Sequence, residues 1–452
     1  MGTLLEHPEA QALLEQTDIA PATVHACSRH LTAFIQRYLP CFYRQEHRTH
    51  VDTILRGKLT GLKRKTTEPI ARQAHQKRRP LQLFVGAGAW NDATVLDELR
   101  RHVRTTIADA HGVLILDASG VAKKGTASCG VQRQWCGRLG KVDNCQVGVY
   151  LGYATPHGKA LVAARLFLPE ARAADPKHRA QTHVPDNVGY QEKWRMGLDF
   201  VRGPGRELPH AWVVGDDEFG RASELRGQLR FDHERYALDV PRNTQIRDLS
   251  GRRPPTRPGG RPRVPVWESV AAWAARQRHG RWRYVTIRNG EKGPLRVKAL
   301  SQQVQAKDED GCLGARERLV VIRSVAPQPQ TWYVLSNAAK DSPLAALLGA
   351  HGDRHRIEDL FREGKGEVGL DHYEVRGWTG WHHHMTLTLL ALWFLQLERL
   401  QLGKKKSGPD GGAHPAVVHA TPATAPAAWP GHRGDREPGV AAHRGSADLP
   451  LA

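Results

Sequence analysis

Apolar residues recur at helical intervals in the first quarter of the chain. Val24, Cys27, Leu31, Phe34, Ile35 and Tyr38 form one stripe, and Val95, Leu96, Leu99, Val103 and Ile107 form another. Each is the pattern of a helix with one buried face, so residues 1–110 read as helical. The period then shortens. GVLILD (112–117) is an apolar run ending in an acid, and CQVGVYLGYA (145–154) and ALVAARLFLP (160–169) flank the turn residues TPHGK, a hairpin signal. A helical stretch near 188–202 leads into a further apolar strand, HAWVVGDD (210–217), and a helix near 221–230 precedes RYALDVP (235–241). A hairpin meander followed by alternating helix and strand predicts an α/β core.

Residues 242–340 break the alternation. GRRPPTRPGGRPR (251–263) is too rich in Pro, Gly and Arg to order alone. RWRYVTIR (281–288), PLRVKAL (294–300), ERLVVIRSV (317–325) and TWYVLSN (331–337) read as strands of a mainly antiparallel insertion. Helix returns from about 343 through 400. Past Leu402 the period vanishes, and 403–452 is Ala, Pro, Gly, His and Arg with almost no large aliphatic residues. That composition predicts a disordered tail, and the abrupt change is what translation from a shifted reading frame would produce.

Charge narrows the function. The 66 Lys and Arg outnumber the 46 Asp and Glu, a net charge of +20, and so basic a chain is expected to meet a polyanion such as nucleic acid. Arg56, Lys58, Lys63, Arg64, Lys65 and Lys77 to Arg79 cluster in the helical region. They suit phosphate contact, and a solvated helix face accounts for them equally well. The apolar run MTLTLLALWFLQL (385–397) is shorter than the roughly 20 residues that span a bilayer, and no basic-then-apolar leader opens the chain. No membrane association is expected, and the location is cytoplasmic. The six cysteines include no CxxC pair, which excludes zinc-ribbon spacing and predicts reduced thiols. His382, His383 and His384 follow Trp381. Consecutive helical positions point about 100° apart, so these three do not easily share one ion and read as structural or DNA-proximal.

The stretch HGDRHRIEDLFREGKGE (351–367) carries the candidate chemistry. On one continuous helix His351, Arg354, Glu358 and Lys365 fall within an arc of about 60°, with Phe361 beside them. Glu363 and Glu367 point roughly 140–180° away from Glu358, and Asp371 follows as a further acid. A carboxylate flanked by bases suits a metal-binding acid beside phosphate, and an intrahelical salt-bridge ladder explains the same charges. Upstream, Asp117 and Asp216 each end an apolar strand, where an α/β sheet presents functional groups. Asp is also a turn residue there. Together the three carboxylates form a hard-oxygen site for Mg²⁺ or Mn²⁺. Two such ions about 4 Å apart clamp an in-line displacement at phosphorus. Lys123 and Lys124, just past the first acid, are candidates for phosphate contact.

These residues resemble the DDE transposases of bacterial insertion sequences, in the branch with a Tyr–x₂–Arg–x₃–Glu–x₆–Lys signature. His351, Arg354, Glu358 and Lys365 keep that spacing, with His in place of Tyr. LILDASGVAKKG (114–125) is similar to the family's first-aspartate strand, and WVVGDDEFG (212–220) to its second-aspartate block, with Asp216 the better match and Asp217 its rival. QRQWCGRLGKVDNCQVGVYL, FVGAGAW and GLDHYEVRGWTGWHHHMTL resemble flanking blocks of one subgroup.

The resemblance implies an α/β, ribonuclease H-like mixed-sheet core over 111–241 and 341–402, interrupted by the β-rich insertion at 242–340 and preceded by a helical DNA-binding domain over 1–110. It implies two Mg²⁺ ions, replaceable by Mn²⁺, held by Asp117, Asp216 and Glu358. Arg354, Lys365 and His351 would contact DNA phosphates. The reaction implied is hydrolysis at the element's terminal inverted repeats, followed by attack of the freed 3′-OH on target DNA in a homodimeric synaptic complex. Relatives that form hairpin ends hold a flipped base with an aromatic from the insertion, for which Trp267, Trp273 and Trp282 are candidates. The alternatives are a ribonuclease H-like DNA nuclease without strand transfer and an inactive, transposon-derived DNA-binding regulator.

Overall fold

The computed structural model describes residues 21–406 except 138, 251–266, 291–292, 309–310 and 312. The Pro/Gly/Arg run, Cys312 and the tail beyond 406 lie outside the described residues. Helices α1 (Pro21–Tyr38), α2 (Gln45–Lys58), α3 (Thr67–Gln73), α4 (Arg78–Ala87) and α5 (Asp92–Ile107) open the described chain. Asn91 starts α5 by accepting a hydrogen bond from the Ala93 amide at 2.9 Å, the role of an N-cap side chain.

Strands β1 (Val113–Ala122), β2 (Gln132–Cys136), β3 (Lys141–Thr155) and β4 (Gly158–Leu166) follow. Next come α6 (Lys193–Arg202), β5 (Trp212–Gly215), α7 (Ser223–Phe231) and β6 (Tyr236–Asp239). β3 pairs antiparallel with β1 and β4, whereas β1, β5 and β6 run parallel. The resulting order, β4-β3-β1-β5-β6, is that of a ribonuclease H-like sheet. The parallel strands are apolar at almost every position because both of their faces are covered. Gly197 of α6 brings that helix against Leu116 on one face. On the other, Gly152 leaves room for Ile115 and Ile357 to meet.

The antiparallel strands are β7 (Gln245–Asp248), β8 (Glu268–Ser269), β9 (Arg283–Gly290), β10 (Gly293–Lys307), β11 (Leu313–Ser324) and β12 (Thr331–Ser336). They extend the core sheet itself. β12 pairs with β6, and β11, β10, β7 and β8 follow outward, making a sheet of twelve strands among the described residues. This extension buries its own cluster, with Val240, Ile246, Val270, Trp273, Leu300, Val304, Leu319 and Leu335.

The helical stretch expected from 343 to 400 divides into α8 (Leu344–Asp353), α9 (His355–Glu367) and α10 (Trp378–Lys406). The first break falls at Arg354, where the Arg354 amide bonds the His351 carbonyl and the Ile357 amide bonds the Arg354 carbonyl. Gly349 and Gly352 lie just before it, and glycine weakens a helix at this point. α10 is buried through Met385 to Leu395, so its apolar run is a core helix, and no described helix is long and apolar enough to cross a membrane.

The N-terminal helices dock on α10 through buried polar groups. Lys58 Nζ donates to Thr388 Oγ1 at 2.8 Å and to the Val368 carbonyl at 3.3 Å. Lys65 Nζ donates to the carbonyls of Lys58 and Thr60. Two members of the basic cluster thus point inward. The three histidines of α10 are structural. His382 and His384 contact the carbonyls of Trp378 and Leu370, and His383 contacts those of Val85 and Trp90 while stacking on the Trp90 ring at 3.7 Å.

Candidate active site

Strand register builds the site. Leu116 lies opposite Gly215, and Gly215 opposite Leu238. The next residue on each strand is an aspartate: Asp117, Asp216 and Asp239. Three acids therefore stand in a row at the carboxyl ends of adjacent parallel strands, spaced by the interstrand distance of about 4.8 Å. Asp117 follows Ile115 by two positions and so points to the same side as α9. That helix is anchored by Ile357 at Gly152 and by Phe361 edge-on to Tyr150 at 5.0 Å. Glu358, on its first turn, lies at the cavity the row lines.

Asp117, Asp216, Asp239 and Glu358 line one cavity of about 1210 Å³, together with Asp217, Glu218, Arg354, Lys193, Trp135 and Trp332. Local bonds fix the aspartates. Asp117 Oδ1 accepts from the Ala118 amide at 2.7 Å. Asp216 Oδ1 caps the turn Asp217–Gly220 by accepting from the Glu218 amide at 3.0 Å. Gly220 permits this packing, because a Cβ there would stand 1.8 Å from the Asp239 carbonyl oxygen.

The acids differ in electrostatics. Burial, and then the charge of Asp216, pushes the Asp117 carboxyl well above its usual range, against the pull of Arg354. Burial and the charge of Glu218 push Asp216 up to about 7, again opposed by Arg354. Asp239 goes the other way. Burial is outweighed by His351, through charge and a hydrogen bond, and by Arg354, so its carboxyl stays below the ordinary value. For Glu358, too, burial is outweighed, by the His355 hydrogen bond and Arg354. Glu358 is about half exposed (54 %), with Oε1 at 3.5 Å from Arg354 Nη1 and 3.3 Å from His355 Nδ1.

Buried carboxylates whose pKa is raised further by acidic neighbours, as at Asp117 and Asp216, fit a hard divalent cation, whose charge relieves the repulsion. Among the described residues no three His, Cys, Asp or Glu side chains stand close enough as placed to hold an ion. Glu358 is turned to Arg354 and His355, and completing a three-carboxylate site requires it to turn toward the aspartate row.

A family model described as a DDE superfamily endonuclease matches residues 37–294. The chain belongs to the DDE superfamily endonucleases. The part of this endonuclease that is matched contains all three row aspartates and ends before Glu358. Among solved structures, the chain is similar to the piggyBac transposase in a cryo-EM synaptic complex with hairpin DNA, at 8% identity over 80% of this chain and 68% of that one, with a TM-score of 0.37. At that score the likeness bears on neither fold nor site. No curated protein matches the chain.

The other residues singled out in the sequence are distributed unevenly. Arg354 reaches the cavity. Lys365 Nζ donates to Ser119 Oγ at 2.9 Å, on the cavity wall. His351 is not brought there. It is buried behind Arg354, with Nε2 on Asp239 Oδ1 at 2.8 Å. Lys123 donates to the Tyr373 carbonyl at 2.5 Å and lies over that ring at 4.2 Å, while burial lowers its pKa to about 8. Lys124 is exposed.

The endonuclease's insertion tryptophans stand away from the acids. Trp273 is buried with Nε1 on Asp248 at 2.7 Å, Trp282 is covered by the Arg323 guanidinium at 4.2 Å, and Lys307 lies over Trp267 at 5.1 Å. The aromatics at the cavity are Trp332 and Trp135, the latter 60 % exposed. Asp239 was missed as a site residue although its signal was present: RYALDVP also ends an apolar strand in an acid. Lys193, ion-paired with Glu218, left no comparable signal.

Proposed function

We propose that this endonuclease is an insertion-sequence transposase that cuts DNA at the ends of its element and joins them to target DNA. The observation carrying this reading is the convergence of Asp117 and Asp216, on adjacent parallel strands, with Glu358 from α9 on one cavity. In this reading Asp117, Asp216 and Glu358 hold two divalent ions, Mg²⁺ or its substitute Mn²⁺. Such ions supply Lewis-acid charge at the phosphate and acidify the attacking group. Arg354 presents a guanidinium for bidentate contact with phosphate oxygens. Lys365 and the exposed Lys124 add cationic charge along the DNA path. Recognition of the terminal repeats falls to the helical residues 1–110, and the working form is a homodimer on paired ends in the cytoplasm, at the nucleoid.

The test is incubation of the protein with labelled terminal repeats and a target plasmid, in Mg²⁺ or EDTA, beside Asp117→Ala. The reading predicts metal-dependent cleavage and joined products from the wild type alone. Nicks without joining would make it a nuclease. Binding without cleavage in Mg²⁺ and Mn²⁺ would make it a DNA-binding regulator.

A further inference from the structure

The third aspartate of the row is unlike the other two. Asp239 is buried, and its carboxylate is shared between His351, near the end of α8, and Arg354, at the α8–α9 break. Oδ1 meets His351 Nε2 at 2.8 Å, and Oδ2 lies 3.3 Å from Arg354 Nε. That Nε has no well-directed hydrogen bond, so charge rather than a directed bond holds Arg354 to Asp239. The far edge of the guanidinium points into the cavity, where Nη1 approaches Glu358. Arg354 also feels Asp117 and Asp216. Four carboxylates thus compete for one buried arginine.

We propose that Asp239 is a positioning residue of the active site, anchoring His351 and Arg354 on the end of β6 and thereby setting where Arg354 and Glu358 stand relative to Asp117 and Asp216. The inference rests on the reading of those three acids as the catalytic centre. Two physical consequences follow. The anchor fixes the angle at which α9 leaves the break, and Glu358 lies one turn beyond. It also holds the guanidinium on the β6 side. Without a charge at 239, Arg354 keeps Glu358 and the pull of Asp117 and Asp216, all on the cavity side, and moves into the space a cation needs. His351, which takes the place of a tyrosine in the signature, then serves the anchor from the buried side.

The experiment uses the full chain as wild type, Asp239→Asn, Arg354→Lys and the double variant. In EDTA, ¹⁵N spectra of histidine-labelled protein report the His351 tautomer. The anchor predicts a protonated Nε2 donating a hydrogen bond in the wild type, unchanged in Asp117→Asn and weakened in Asp239→Asn, whose neutral amide oxygen is the poorer acceptor. In Mg²⁺, cleavage by Asp239→Asn falls about 10²-fold, the scale of an ångström-sized misplacement, while DNA affinity in Ca²⁺ stays within about twofold. The double variant is no slower than Arg354→Lys, because Asp239 acts through that arginine. Wild-type cleavage by Asp239→Asn, or losses that multiply in the double variant, would overturn the proposal. If Asp239→Asn does not fold, the wild-type spectrum decides, since a His351 without a proton on Nε2 also overturns it. A wild type that shows the His351 bond but cleaves no DNA strikes the proposed function and leaves the anchor in place.

Discussion

Asp216→Asn isolates the cost of burying the Asp216 charge beside Glu218 and its other acidic neighbours. Asn is as good an N-cap as Asp, so the bond to the Glu218 amide survives and only the charge is removed. The folded carboxyl titrates near 7 against an ordinary 3.8, so the folded chain holds a proton that the unfolded chain releases. Stability contributed by this group is complete below pH 3.8 and falls as pH rises toward 7. At about 1.4 kcal/mol per unit the shift amounts to roughly 4 kcal/mol, and water at the partly exposed edge of Asp216 reduces this to about 2–4 kcal/mol. The assay is urea unfolding in EDTA at pH 5 and pH 8. The wild type should lose stability between the two, and Asp216→Asn should lose about 1–3 kcal/mol less and be the more stable protein at pH 8. Adding Mg²⁺ at pH 8 should stabilise the wild type and not the variant. Equal pH slopes in the two proteins would refute the reasoning.

Three further outcomes are expected. Gly220→Ala places a Cβ against the Asp239 carbonyl and should cost about 3 kcal/mol or more by thermal unfolding. An unchanged melting temperature would mean that the turn does not sit on β6 as described. Lys58 is held down to about 7 by burial and then by Lys65. The unfolded chain therefore gains its proton first, and stability should rise between pH 7 and 10.5 by roughly 1.4 kcal/mol per unit. Lys58→Met should flatten that rise, and a variant with the wild-type slope would contradict it. DNA affinity should fall steeply with salt, with a log–log slope of about −5 or steeper, and a flat response would exclude phosphate-led binding.

What local pattern encodes was legible. A parallel strand covered on both faces must be apolar along its length, so its ending in Asp117 or Asp216 stands out. Asp239 obeys the same rule, and register, which no local window contains, is what aligns it with the others. The helix stripe placed His351, Arg354 and Glu358 on one side, and the contacts through Asp239 and Arg354 keep them linked there. What the projection does not contain is depth: His351 is buried on Asp239, whereas Glu358 is half exposed at the cavity. The joining of the insertion to the core sheet was also hidden. It depends on β12 meeting β6, with Val334 opposite Asp239, a pairing between segments distant in the chain. β2, short and largely polar, carried too weak an alternation to be read as a strand.

The central claim is that Asp117, Asp216 and Glu358 meet tightly enough to hold divalent ions. Anomalous diffraction from crystals of the protein with Mn²⁺ tests it most directly. The account predicts density peaks between the two aspartates, with Glu358 turned from Arg354 toward them. Peaks elsewhere, or an aspartate row that stays bare while Mn²⁺ supports cleavage, would contradict it.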